Sequence, residues 1–325
     1  MSADTPAEAL EAHCENYVRL KHASGVAFGK PEQILHRFLK HCAPYLSEDC
    51  ALPKEAVLSW SQRQSWETAN NQRIRVSAVR GFAEYLRGKG VQAYMGELIR
   101  RAPANCVPYI FSNNELARLF LAADQCKKNG VSPTRWLVAP MILRTIYACG
   151  LRSSEATMLR VCDVDLQHGV LTVLNTKFNK DRLIPVDPIL LEQLKTYARQ
   201  TLLQSGGDAP FFPNHEGKMY SPSSIYNIFR DCLWKAGISH GGKGRGPRLH
   251  DLRHTFAVHC LRKWVLAGKD LSIALPYLST YLGHTGLSSS QMYLRLTAEM
   301  YPDIVAKMEQ YFDVLPDLEN LHATD

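Results

Sequence analysis

Apolar positions recur at helical spacing through most of the chain. In "PEQILHRFLKHCAPYL", Ile34, Leu35, Phe38, Leu39 and Cys42 fall along one side of a helix. "LPKEAVLSWSQR" predicts a second, shorter helix with Pro53 near its start. "ETANNQRIRVSAVRGFAEYLRGKG" predicts a third, with Val76, Val79, Phe82, Ala83 and Leu86 on one face. Arg73, Arg80 and Arg87 recur every seven residues and so share a different face. Such a face is either simply solvated or laid along a polyanion. Gly88 and Gly90 end the helix.

"RRAPANCVPYIFSNNE" then reads as a linker, with two prolines and little periodicity. Ser112 and Glu115 have the spacing of a capping box, each side chain satisfying a backbone N–H at the start of a new helix. The chain therefore divides into domains at 1–105 and 106–325. The second opens with helices over 113–126 and 134–149, and Gly150 breaks the latter. "LRSSEATMLR" starts another helix, with Ser153 or Ser154 as its cap and Glu155 in its first turn. "GVLTVLN" and "DRLIPV" are short β-branched runs separated by "TKFNK", which predicts a hairpin with a polar tip. Helices follow at 188–204, 222–236, 250–267 and 271–283, then a polar, serine-rich loop with Tyr293 after it, then a last helix over 298–312. The fold class is mainly α with a small antiparallel β-sheet.

Composition narrows the partner. The 325 residues are 46% hydrophobic, enough for sizeable cores, and carry a net charge of +7 with pI near 8.9. That balance favours a polyanion without requiring one. The nine cysteines are scattered and form no C-x-x-C pair, which reads as reduced thiols, mostly small core residues. The opening "MSADTPAEALEAHCENYVRL" lacks the apolar core of a signal peptide, and no apolar run reaches the length of a membrane span. A cytoplasmic, nucleoid-associated protein is the expectation.

The densest chemistry lies in "GRGPRLHDLRHTFAVH", residues 244–259. His250 and Arg253 stand i, i+3 and share a helix face. The glycine-rich run before them lets a backbone approach the helix N-terminus, where free N–H groups favour anions. Lys243, Arg245 and Arg248 add charge there. Zinc fits worse: His250 and His254 stand i, i+4, but the motif is H-D-L-R-H, and no cysteine or carboxylate cluster supplies further ligands. His254 and His259 fit as core or helix-surface histidines. Arg152 fits either an ion pair with Glu155 or a phosphate grip. Lys177 and Lys180 lie at the hairpin tip, in a turn that is either solvated or inserted into a DNA groove. Tyr293 follows His284 by nine residues. A buried tyrosine is more often core than catalyst.

"GLRSSE", "HDLRHTFAVH", "LGHTGLSSSQMY" and the hairpin lysine together resemble the tyrosine recombinase/integrase family, which includes Xer, Cre and the phage integrases. The resemblance covers nearly the whole chain. It implies a helical, SAM-like core-binding domain followed by a tyrosine-recombinase catalytic domain. Carried over by position, it makes Tyr293 the nucleophile of a metal- and ATP-independent DNA strand transferase. Arg152 and Arg253 grip the phosphate oxygens, Lys177 is the general acid, His250 assists proton transfer at the tyrosine, and His284 donates to the phosphate. Arg73, Arg80, Arg87, Lys180, Lys243, Arg245 and Arg248 are the implied DNA contacts. No cofactor or metal is implied.

The hairpin "NTKFNKDR" departs from the family's glycine-lysine-glycine, so Lys180 remains an alternative acid. The segment between His259 and His284 is longer than in compact members, and no arm-binding domain is read ahead of the first helices. The implied partners are double-stranded recombination sites, with four protomers on two sites, monomer or dimer off DNA, and possible accessory recombinases. The reaction is integration or excision of a mobile element, or Xer-like resolution. The amphipathic "AEMYPDIVAKMEQYF" docks either on a neighbour or on its own domain. The rival readings are a type IB topoisomerase-like nicking-closing enzyme and a catalytically inert DNA-binding relative.

Overall fold

The computed structural model describes residues 5–26, 28–46, 52–100, 107–128, 130, 132–174, 181–242, 246–284 and 288–301. They fall into two compact units, 1–106 and 107–325.

The first unit holds α1 (Pro6–Ala23), α2 (Gly29–Cys42), α3 (Lys54–Ser61) and α4 (Ala69–Gly88). Thr5 and Glu8 form a capping box at the start of α1, and Thr68 caps α4 through the Asn71 N–H. The apolar stripes of α2 and α4 meet in one core, where Leu35, Phe38, Phe82, Ala83 and Leu86 are fully buried. Tyr17 of α1 packs on Phe82, ring centroids 5.7 Å apart.

The second unit begins with α5 (Asn113–Asp124), whose Ser112–Glu115 capping box is present as drawn from the sequence. α6 (Arg135–Ala148) follows, buried nearly all round, and then α7 (Ser153–Met158). A three-stranded antiparallel sheet comes next, in the order β1 (Val164–Asp165), β2 (Val170–Val173), β3 (Arg182–Pro185). Leu171 pairs with Ile184 and Val173 with Arg182. Leu171, Val173 and Ile184 all turn inward. Because strand side chains alternate with period two, Arg182 lies on the same side of β3 as Ile184. α8 (Pro188–Thr201), α9 (Pro222–Lys235), α10 (Asp251–Leu266), α11 (Leu271–Leu282) and α12 (Ser288–Met300) complete the described unit.

Three expectations change. The first residue of α7 is Ser153, so the capping position belongs to Arg152, whose backbone N–H is bound by the Glu155 carboxylate at 2.8 Å. The serine-rich stretch read as a loop is the helix α12, because Tyr293, Leu294, Leu296 and Thr297 form a buried helical stripe. Of the helix expected over 298–312, residues 298–300 are the end of α12 and those from 302 onward lie outside the described residues. Among the described residues no helix is long and apolar enough to cross a membrane.

Two helix ends build the frame of the site. α6 closes on Gly150, with φ 57°, through bonds from the Gly150 N–H to Tyr147 O and from the Leu151 N–H to Ile146 O. α11 closes in the same way on Gly283, with φ 66°, through Thr280 O and Ser279 O. This is the Schellman arrangement, in which a left-handed residue, best supplied by glycine, turns the chain off the helix. Each turn leaves carbonyls without a helical partner, pointing where cations are favoured.

Candidate active site

Those spare carbonyls hold arginines. Arg253 of α10 donates to Gly150 O at 2.9 Å and to Leu282 O at 2.6 Å. Arg152 donates to Gly283 O at 3.1 Å. Arg253 is 1% exposed, an expensive position for a charge unless it is well hydrogen-bonded. Burial first, and then the neighbouring charge of Arg152, push its pKa down to about 10, so it stays cationic at neutral pH.

Glu155 is the counter-ion at the centre. It pairs with Arg152 at 2.5 Å and with Arg182 at 2.8 Å, and lies 3.8 Å from Arg253. The sequence offered Arg152 as either a surface ion pair or a phosphate grip. The ion pair is present, but its carboxylate is buried and shared. Burial favours the neutral acid, yet Arg182's hydrogen bonds, the Arg152 N–H and both guanidinium charges outweigh it and hold Glu155 below the usual carboxylate range. Three guanidinium groups around one carboxylate leave two positive charges unmatched in this cluster.

Four aromatic rings complete it. The Tyr293 side chain from α12 is 1% exposed and stacks on His284, ring centroids 5.9 Å apart and planes 18° apart. The His254 Nδ1 lies 3.0 Å from the Tyr293 hydroxyl. His250, at the capping position of α10, sets its ring edge-on to His254 with centroids 4.7 Å apart. Burial raises the Tyr293 pKa, and Arg253 and Arg152 pull against it without cancelling it, so the resting phenol keeps its proton. Loss of water, followed by the Arg253 charge, lowers His250 and His284 to about 4. His250 is open at its outer edge but crowded by protein within, which is why desolvation still dominates there. Burial and then the adjacent His250 bring His254 to about 3. All three imidazoles are neutral at physiological pH.

The structure thus brings Arg152, His250, Arg253, His284 and Tyr293 together from α7, α10, α12 and the end of α11. Lys177, Lys180, Lys243 and Arg245 lie outside the described residues. Arg248 is half-exposed and bound through its side chain to the buried Asp251 at 2.8 Å. Of the arginines on α4, Arg87 is exposed, Arg80 donates to Gly96 O at 2.7 Å, and Arg73 is half-buried beside Asn70. Among the described residues no three His, Cys, Asp or Glu side chains are grouped to hold a metal ion.

Sequence reasoning passed over two members of the site. Arg182 is not singled out by the sequence motifs, although period two in "DRLIPV" puts it on the inward face with Ile184. By sequence His254 fits as a core or helix-surface histidine. It stands one helical turn from His250, but its partner on α12 is thirty-nine residues away and no spacing reveals it. His259, also read as structural, lies 2.9 Å from the Tyr147 hydroxyl.

Comparison with known proteins shows the family of the chain. The model of the phage integrase family matches residues 111–300, which span every residue of the cluster. A Sinorhizobium fredii (strain NBRC 101917 / NGR234) protein, y4rE, which bears the provisional name integrase/recombinase, is 33% identical over 288 residues, 86% of this chain and 89% of that one. The tyrosine recombinase XerD of Proteus mirabilis is 34% identical over 161 residues, 49% of this chain and 47% of that one. Among solved structures, the XerH site-specific recombinase bound to difH substrate in a pre-cleavage complex superposes with a TM-score of 0.61. That match is 20% identical and covers 90% of this chain and 82% of that one, a likeness of fold.

Proposed function

Because the chain belongs to the phage integrase family and is a site-specific DNA recombinase, we propose that Tyr293 is the nucleophile that cuts its DNA, forming a 3′-phosphotyrosyl bond. The observation that carries this reading is the placement of the Tyr293 side chain, stacked on His284 with its hydroxyl 3.0 Å from the His254 Nδ1, beside a cluster with two unmatched positive charges.

A phosphodiester is an anion that gains a second negative charge as it is attacked. Fixed cations favour that transition state more than the ground state, and this difference is catalysis. Guanidinium groups present paired donors in one plane, suited to the non-bridging oxygens. In this reading Arg152 and Arg253 take those oxygens, and Arg182 holds Glu155 so that Arg152 keeps its direction. His284, stacked beside the tyrosine, donates to the phosphate. Lys177, or Lys180 in its place, protonates the departing 5′ oxygen. The phosphotyrosyl ester conserves the energy of the broken bond, so a 5′ hydroxyl reseals the strand without ATP. The hydroxyl is buried, so the surrounding side chains must part before a phosphodiester reaches it.

Exchange between two duplexes requires a cut in each of four strands, and one tyrosine makes one cut. Four protomers on two recombination sites satisfy this count. Arg87, exposed on α4, and Arg248 add sequence-independent phosphate contacts in this reading.

Covalent capture tests the proposal. The protein and its Tyr293→Phe variant are incubated with DNA of the source genome in EDTA, denatured, and the protein-linked DNA is sequenced. Adducts only with Tyr293, clustered at paired inverted sites, are expected. Scattered adducts without paired sites point to a topoisomerase-like nicking-closing activity, and no adduct refutes the assignment of the nucleophile.

A further inference from the structure

We propose that His254 takes the phenolic proton of Tyr293 when the phosphodiester is attacked and returns it when the strand is rejoined. The inference rests on Tyr293 being the nucleophile.

The argument starts from what each neighbour of the hydroxyl can do. Arg253 has only N–H groups, so it acts on the phenol through its positive charge and cannot accept the phenolic hydrogen. The His254 Nδ1, 3.0 Å away, is therefore where the phenolic hydrogen points. This sets the tautomer: Nδ1 bare, Nε2 carrying the hydrogen. His250 packs edge-on against His254, and it is the His254 ring that is in hydrogen-bond contact with the tyrosine. The pairing is built in by the fold, since α10 and α12 are packed side by side.

The step balances. The Oη–H bond of Tyr293 breaks and its proton goes to the His254 Nδ1, while the oxygen's electron pair forms the bond to phosphorus. The bond from phosphorus to the 5′ oxygen breaks, and that oxygen takes a proton from the hairpin lysine. On rejoining, the 5′ hydroxyl returns its proton to the lysine as its oxygen attacks phosphorus, the bond from phosphorus to the tyrosine oxygen breaks, and that oxygen recovers its proton from His254.

The groups facing His254 explain when this happens. On its own helix and just before it stand His250, Arg253 and Arg248. From the end of α11 comes His284, and from α12 comes Tyr293. All but the tyrosine are basic, so the resting site resists a further positive charge on the imidazole. A bound phosphodiester, growing more negative as it is attacked, removes that resistance. The base becomes competent only with DNA in place, which protects an empty site from ionising its nucleophile.

Two measurements decide the matter. The first needs no DNA: 15N-histidine NMR, with His254 identified by its loss in the His254→Asn variant. The expected result is the Nε2–H tautomer with a hydrogen-bonded Nδ1 that Tyr293→Phe abolishes. A His254 signal indifferent to Tyr293→Phe overturns the proposal. The second uses a duplex bearing a junction recovered by covalent capture, followed for adduct formation between pH 6 and 9.5. His254→Asn keeps a polar group near Nδ1 that cannot take the proton. At pH 7 its rate should fall by about 10²-fold, in the range of general-base loss. The deficit should shrink tenfold per pH unit, and difluorotyrosine at position 293, a more acidic phenol, should restore it at least tenfold. A loss that runs parallel to the native pH profile and ignores the fluorinated tyrosine overturns the proposal. Absence of adduct with the native protein refutes the nucleophile instead, and the NMR result still decides the hydrogen bond.

Discussion

Arg182 and Glu155 are joined by two hydrogen bonds of 3.1 and 2.8 Å, from the first residue of β3 to the first turn of α7. Arg182 also donates from Nε to Tyr281 O at 2.9 Å, so one side chain ties the hairpin, α7 and the end of α11 together. In the sequence, Lys177 and Lys180 precede this residue by five and two positions.

Removing one partner of a buried pair strands the other. Arg182→Ala should therefore cost about 3–5 kcal/mol of stability, read as a fall in the urea midpoint. Arg182→Lys should recover little of it, because an ammonium cannot bind both carboxylate oxygens in one plane. A midpoint unchanged in Arg182→Ala would show that the fork contributes nothing to folding.

Gly150 offers a second test. Its φ is 57°, and a Cβ built there lies 2.6 Å from the Phe256 ring and 2.9 Å from Leu282. Gly150→Ala combines a disfavoured backbone with overpacking and should destabilise by about 2–4 kcal/mol. Because the Gly150 carbonyl holds Arg253, adduct formation should fall even at temperatures where the variant remains folded.

The three imidazoles predict an acid limit. Their folded pKa values, about 4 for His250 and His284 and about 3 for His254, lie below the unfolded value of about 6.5. Between those values the unfolded chain binds more protons than the folded one. Their contribution is complete above about pH 6.5 and is lost as pH falls toward 4. Stability measured from pH 7 to 5 should decline, and His254→Asn should flatten the slope. An equal slope in that variant would mean that His254 titrates normally in the fold.

The hairpin lysines are separated by chemistry. A 5′-bridging sulfur leaves without needing a proton, so it should rescue the variant that lacks the general acid. Rescue of Lys177→Ala but not Lys180→Ala is expected in adduct formation. The reverse result would transfer the role to Lys180.

Much of the fold was legible in local pattern. Ser112 and Glu115 announce α5, Gly150 ends α6, and the alternation around "TKFNK" gives β2 and β3. Each of these signals is satisfied within one turn or one hairpin. The stretch around Tyr293 misled because three serines suggest a loop, while the stripe of Tyr293, Leu294, Leu296 and Thr297 gains its meaning only against the core it fills.

By itself the sequence determined the order of the site residues, and order carried the family. It placed Arg152 after a glycine-ended helix, His250 and Arg253 on one helix face, and Tyr293 beyond His284. Only the tertiary structure decided that Glu155 is shared by Arg152 and Arg182, that Arg253 is held by the carbonyls of two helix ends, and that His254 meets the tyrosine. The reason is geometric. Periodicity fixes which way a side chain points about its own axis, whereas a hydrogen bond between elements depends on how those axes pack.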